Sequence, residues 1–246
     1  MPKNLITLEG YILSSAKYKD DSSIITLLTR EGKKSLMVRG GNKITSKNHQ
    51  STLVFNKVKC DVTESGNFYS VTGTTTLLNA SSLYEDLNYS FALNVANEIL
   101  IKFFQDSDEV PYDFYDKMIE NYLAKKDVLT SLFIFVSKCT SYLGIEPNIR
   151  ECVNCASKHD LVRFDLEEGG LICKRCAAEM GLEHSNINYM KIFRYAYLVD
   201  KDTMGSVDLP KKELEICYRD LLLFLENQFY PTRLNSNKMF LDILGD

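Results

Sequence analysis

Hydrophobic and polar positions alternate with a period of two along the first 80 residues, then switch after Asn79 to a period near 3.6. Five runs carry the first pattern: residues 5–15, 24–30, 35–39, 52–63 and 68–78. They are broken at Lys19-Asp20-Asp21, Glu31-Gly32, Gly40-Gly41-Asn42 and Ser65-Gly66-Asn67, where Gly, Asn and Asp tolerate the backbone angles of tight turns. Five short strands in so little chain predict a small barrel. Closing the sheet removes edges that would otherwise pair with other chains, and the five-stranded OB fold is one common solution at this size.

The second pattern opens with Leu83, Leu87, Phe91, Val95, Ile99 and Phe103, which share one helical face. A second helix fits residues 112–124. A third, 127–143, is apolar on nearly every side and is expected at the centre of a bundle, ended by Gly144 and Pro147. Leu214, Cys217, Tyr218, Leu221, Leu222, Leu225 and Phe229 predict a last helix, with Asp208 and Pro210 marking its start. The expected class is therefore a multidomain α+β protein. An OB-fold β-barrel for nucleic acid occupies residues 1–80, and an α-helical bundle domain, 81–246, carries an insertion at 150–180.

Composition changes this picture little. A chain of 246 residues suffices for two domains, and 45% hydrophobic with 25% charged residues is the balance of an ordinary soluble protein. No apolar run approaches the roughly 18 residues of a membrane span, and neither a secretory nor a transit pattern opens the chain, so a cytoplasmic setting without membrane attachment is expected. Charge changes it more. The net of −4 conceals an asymmetry: residues 1–80 carry 11 Lys and Arg against 6 Asp and Glu, the remainder 18 against 27.

Four of the seven cysteines form two matched pairs, Cys152/Cys155 and Cys173/Cys176, with 17 residues between them. A C-x2-C turn lets two thiolates reach one ion, and a second such turn completes a tetrahedral shell. Leu161 to Asp165 and Gly169 to Ile172 read as the two arms of a hairpin that returns the second turn to the first. The spacing predicts a structural Zn2+. A redox pair is expected beside a strand-helix unit of thioredoxin type, which this segment lacks, and catalytic zinc keeps an open position that four thiolates would fill. His159 and His184 are possible substitutes as ligands, but with both cysteine pairs intact they read as surface residues. Cys60, Cys139 and Cys217 sit in apolar patterns and read as core.

Lys33, Lys34, Arg39, Lys43 and Lys47 crowd one stretch, and Lys57 and Lys59 follow on one face of the next strand. A positive groove with aromatic platforms is what single-stranded nucleic acid needs, and Tyr11, Tyr18, Phe55, Phe68 and Tyr69 are the aromatics at hand. The plain alternative is a solvated charged face and a set of core rings.

Taken together, the residues resemble the RecO family of bacterial recombination-mediator DNA repair proteins. The similarity runs through Leu143-Gly144-Ile145-Glu146-Pro147, Cys152-Val153-Asn154-Cys155, Phe164-Asp165, Gly169-Gly170 and Cys173-Lys174-Arg175-Cys176. At the front it includes Gly10-Tyr11-Ile12-Leu13, Ile24-Ile25-Thr26-Leu27-Leu28-Thr29 and Glu31-Gly32-Lys33. Ala156 stands where many members have glycine. The resemblance implies an OB fold, a helical domain, an embedded zinc site and work without catalysis. It implies binding of single- and double-stranded DNA, strand annealing and, with RecR, loading of RecA onto DNA coated by single-stranded-DNA-binding protein. A patch of Lys191, Arg194, Lys211, Lys212 and Arg219 is where the acidic tail of that coating protein is expected to dock. Localisation would be cytoplasmic, at the nucleoid during repair.

Two other classes stay open on the residues alone: a zinc-bearing adaptor that touches no nucleic acid, and a zinc-dependent nucleic-acid enzyme. The H-E-x-x-H, G-x-x-x-x-G-K-[ST] and G-x-S-x-G patterns are missing from the sequence, so no catalytic residue is assigned.

Overall fold

The computed structural model describes residues 5–19, 21–43, 45–46, 48–65 and 68–244. They divide into two compact units, 1–112 and 113–246. In the first, β1 (Leu5–Tyr18), β2 (Ser22–Thr29), β3 (Gly32–Val38), β4 (Lys57–Ser65) and β5 (Phe68–Leu78) close a barrel in the order β1-β2-β3-β5-β4. Neighbours are antiparallel except β3 and β5, an OB-like arrangement. Ile12, Ile25, Leu27, Leu36, Val38, Val58, Cys60, Val62 and Val71 fill the interior. Along β4 the alternation holds as the sequence indicated, with Val58, Cys60 and Val62 inside and Lys57 and Lys59 on the outer face.

The fourth strand begins at Lys57 rather than at 52. Residues Gln50–Thr52 form a 3-10 turn, and Phe55 takes a left-handed φ of 73°. The cause lies in β1, whose register shifts between Ile12 and Ser14. There the N–H of Phe55 donates to the Ile12 carbonyl at 2.8 Å and the Ile12 N–H to that of Asn56 at 3.0 Å. The Phe55 ring is buried against Tyr84, centroids 5.0 Å apart, and that burial offsets a backbone strain of order 1–3 kcal/mol.

Helix α1 (Leu87–Phe103) belongs to the same unit; Asp86 caps its start, and Asn97 Nδ2 donates to the Leu13 carbonyl of β1 at 2.8 Å. In the second unit, α2 (Tyr112–Leu123) leads to α3 (Val128–Tyr142), in which residues 129–140 are all buried, as expected of a central helix. Gly144 ends α3 with φ 74°, its N–H donating to Ser141 while that of Ile145 reaches Thr140, both at 3.0 Å. This is the left-handed stop that a side chain would strain. Helix α3 packs on α5 (Ile187–Leu198) and α6 (Lys211–Gln228). Its buried Lys138 donates through Nζ to the Tyr197 carbonyl at 2.8 Å, placing a cation at the C-terminal end of α5, where the helix dipole favours it.

Three helices were not anticipated: α4 (Lys174–Glu179), α5 and α7 (Asn235–Leu244). Six residues are too few for α4 to show a period. Helix α5 mixes Ile, Phe and Tyr with polar residues in a short run, which periodicity does not separate from a strand. Among the described residues no helix is long and apolar enough to cross a membrane.

Candidate metal centre and nucleic-acid interface

The hairpin anticipated between the cysteine pairs is β6 (Leu161–Asp165) with β7 (Gly170–Cys173), antiparallel. Its tight return depends on Gly170, at φ 143°, where an added Cβ would lie 2.2 Å from the Asn148 carbonyl oxygen. Asn148 also donates to Gly169 and accepts from Leu171, stitching the loop that follows α3 to the hairpin. The apolar ring of Phe164 stacks on that of Phe193 in α5. Cys152 and Cys155 lie on the tight turn before the hairpin, held by Ala156 N–H to the Cys152 carbonyl and Cys152 N–H to Ser157, both at 2.8 Å. Cys173 closes β7 and immediately precedes α4, whose first turn carries Cys176.

These elements bring all four sulfurs within 4.8 Å of one another, with Cys155 and Cys173 at 3.6 Å. A tetrahedral ion with metal–sulfur bonds of about 2.3 Å would set neighbouring sulfurs about 3.8 Å apart, so the donor set fits one thiophilic dication. Burial pushes the Cys152 thiol up, but N–H groups of Cys173, Asn154 and Cys155 donate to its sulfur and carry it down to about 6. Burial and the neighbouring sulfurs push Cys176 up to about 12. Four thiols this close together cannot all ionise without a cation among them. Arg175 lines the cavity beside Cys155 and Cys173, a positive group next to a site that would carry excess negative charge.

The remaining sequence expectations for this region agree with the placement. His159 and His184 are exposed and outside the cluster. Cys60, Cys139 and Cys217 are buried, and desolvation raises each thiol, Cys60 to about 12, which leaves them protonated and inert.

The cationic residues of the first unit do not line one groove. Lys33 is 5% exposed; its Nζ donates to the Ile101 carbonyl at 3.0 Å and lies 3.8 Å from Asp106, so it caps the end of α1 and offers no free ammonium to a phosphate. Lys33 therefore leaves the set of contact residues. Lys34, half-buried, lines a shallow recess of about 620 Å³ with Lys102 and Asp106. Lys57 is turned toward the Tyr11 ring and lies 3.8 Å from Glu9, whose strand position faces Lys59. Lys47 lies outside the described residues.

Arg39 and Lys43 are exposed at the far end of β3, about 20 Å along the strand from Lys33. Lys43 meets Asp21 at 2.6 Å, an exposed pair worth at most about 1 kcal/mol and readily exchanged for a phosphate. The register Lys17 to Ser23 to Val38 brings the end of β1 to this same end of the barrel. Lys17, Tyr18 and Lys19 are exposed there, with Lys19 Nζ 5.3 Å from the Tyr18 ring centre. Sequence reasoning noted Tyr18 and missed both lysines, although a ring flanked by two cations was the available signal. Of the other aromatics, Tyr11 and Phe55 are core, Tyr69 packs against it, and Phe68 is described only as backbone.

In the second unit, Lys191 lines an apolar groove of about 250 Å³ with Ile192, Tyr195, Val207 and Pro210. Arg194 follows one turn later on α5, and Lys211 and Lys212 open α6 immediately after Pro210. Arg219 is exposed two turns farther along α6, away from that rim.

Comparison with known proteins addresses the whole length. Residues 1–79 match the family Recombination protein O N terminal, and residues 84–238 match Recombination protein O C terminal. Proteins named DNA repair protein RecO are similar throughout. That of Bacillus pumilus is 26% identical over 242 residues, 95% of this chain and 93% of the relative. That of Halalkalibacterium halodurans is 26% identical, covering 96% and 94%, and that of Bacillus subtilis 25%, covering 97% and 94%. With both halves matched in order and an OB-like barrel preceding a helical, cysteine-bearing unit, the chain belongs to the recombination protein O family.

Proposed function

We propose that this chain is a non-catalytic mediator of DNA repair and recombination. It binds single- and double-stranded DNA through the domain of residues 1–80, promotes annealing and, with RecR, helps load RecA onto DNA coated by single-stranded-DNA-binding protein. The observation that carries this reading is the family match joined to the exposed group Lys17, Tyr18, Lys19, Arg39 and Lys43 at one end of the barrel. Exposed cations beside an exposed ring screen phosphates and leave bases free to pair, which suits annealing better than a base-reading groove. Lys34 and Lys59 add cations elsewhere on the barrel.

The four cysteines hold one structural Zn2+ in this reading, bracing the loop after α3 against α5 through the hairpin. Zinc is favoured by the all-thiolate, closed tetrahedral donor set. The acidic tail of single-stranded-DNA-binding protein docks at the groove lined by Lys191 and ending at Pro210, where Lys191, the Lys211 and Lys212 that follow Pro210, and the start of α6 favour a carboxylate. Arg194 flanks it.

Titration with labelled single- and double-stranded oligonucleotides at several salt concentrations, followed by mixing complementary strands, tests the function. Salt-sensitive binding and joining without cleavage support the mediator. No binding at low salt would leave the adaptor, and metal-dependent scission an enzyme.

A further inference from the structure

We propose that Cys155 is a site of oxidative modification and that the product is a disulfide to Cys173 with loss of the bound ion. The proposal rests on reading the four cysteines as a zinc centre. Three observations single out this pair. Cys155 is the one member of the four that is not buried. Cys155 and Cys173 both line an open cavity of about 620 Å³, together with Ser157, His159, Lys174 and Arg175, whereas Cys152 and Cys176 do not. Their sulfurs are 3.6 Å apart, so little movement separates them from a bond. Cys152, the partner of Cys155 on the same turn, is 1% exposed.

Hydrogen peroxide, small enough for the cavity, supplies the oxidant. The Cys155 thiolate attacks one peroxide oxygen, the O–O bond breaks, and the departing hydroxide takes a proton to become water; the sulfur is left as a sulfenic acid. The Cys173 thiolate then attacks that sulfur, forming the S–S bond and expelling a second hydroxide, which also leaves as water. Two electrons pass from the two sulfurs to the peroxide. Lys174 and Arg175 at the cavity favour the anionic oxygen that leaves. Only Cys152 and Cys176 remain as thiolates, and two ligands do not retain the ion.

The full chain loaded with Zn2+ is treated with hydrogen peroxide while a chromogenic chelator reports released metal. Remaining thiols are then alkylated and the protein is cut with trypsin. Cleavage after Arg150, Lys158, Arg163, Lys174, Arg175 and Lys191 places Cys173 and Cys176 on separate peptides, and Cys152 with Cys155 on a third. The expected first product is peptide 151–158 joined to 164–174 through Cys155, one disulfide for each ion released, reversed by dithiothreitol and fresh zinc. A disulfide within 151–158, a link to 176–191, sulfinic acid with metal retained, or unreacted thiols would each overturn the proposal. A chain that binds no zinc at the outset defeats the metal-centre reading itself, a failure visible before peroxide is added.

Discussion

The ring of Phe164, on the strand that leaves the first cysteine pair, stacks on that of Phe193 in α5 with centroids 4.5 Å apart and planes at 26°. Tyr189 completes the cluster edge-on to Phe193 at 5.0 Å, its hydroxyl donating to Asp220 at 2.7 Å. The hairpin is thus part of the second unit's core. Phe164→Ala is expected to cost about 3–5 kcal/mol, with Phe164→Leu well below that. Urea midpoints at constant slope measure both, and a shift within error for the alanine variant would place the ring outside the core.

Two groups of basic residues separate by role. Arg39→Glu with Lys43→Glu is expected to weaken DNA binding about equally on unrelated sequences and to flatten its salt dependence, because phosphate contacts carry no base information. Lys33→Met should do the reverse. It leaves the Ile101 carbonyl without its donor, costing about 1–3 kcal/mol of stability while the isotherm is unchanged. Anisotropy titrations and denaturation of both variants decide the assignment.

Asp165 gives the second unit an acid limb. Burial pushes its carboxyl up, but hydrogen bonds from Arg163, at 2.6 and 3.1 Å, and from the Glu168 and Glu167 N–H groups hold it below the usual carboxylate range. A carboxyl depressed in the folded state contributes stability above its unfolded value of about 3.9, and that stability is lost as pH falls through the lower folded value. The stability difference between the native chain and Asp165→Asn is therefore expected to be constant above about pH 5 and to shrink below about pH 4. Urea midpoints from pH 3 to 7 test this. A difference that grows on acidification would contradict it.

Ala156 occupies a glycine's conformation. At φ 56° its Cβ opposes the left-handed turn that Cys152 requires, a strain of about 1–2 kcal/mol, part of which the greater freedom of an unfolded glycine offsets. Ala156→Gly should stabilise the chain by up to about 1 kcal/mol, read as a raised melting temperature with zinc content unchanged.

Much of this was legible in sequence because it depends on neighbours along the chain. The switch of period at Asn79 separated strands from helices, Gly144 marked its stop, and the 17-residue interval implied the hairpin. What escaped depends on partners brought from afar. Lys33 looked like part of a basic run, and only the arrival of Ile101, 68 residues later, buries it. Phe55 read as strand because its hydrophobicity fits one, whereas its backbone answers to a bulge in β1. Lys17 and Lys19 straddle the end of a strand and a turn, so counting charges by stretch left them apart from Arg39, to which the ladder returns them.

The parallel closure of the barrel has a dynamic consequence. Strands β3 and β5 meet through Leu36 with Tyr69 and Met37 with Ser70, while their other neighbours are zipped along most of their length. Breathing of the cylinder therefore begins at this short clasp, where few amide protons must be released before solvent deuterium enters. The hairpins survive such an excursion intact, and the ring can snap shut again without refolding.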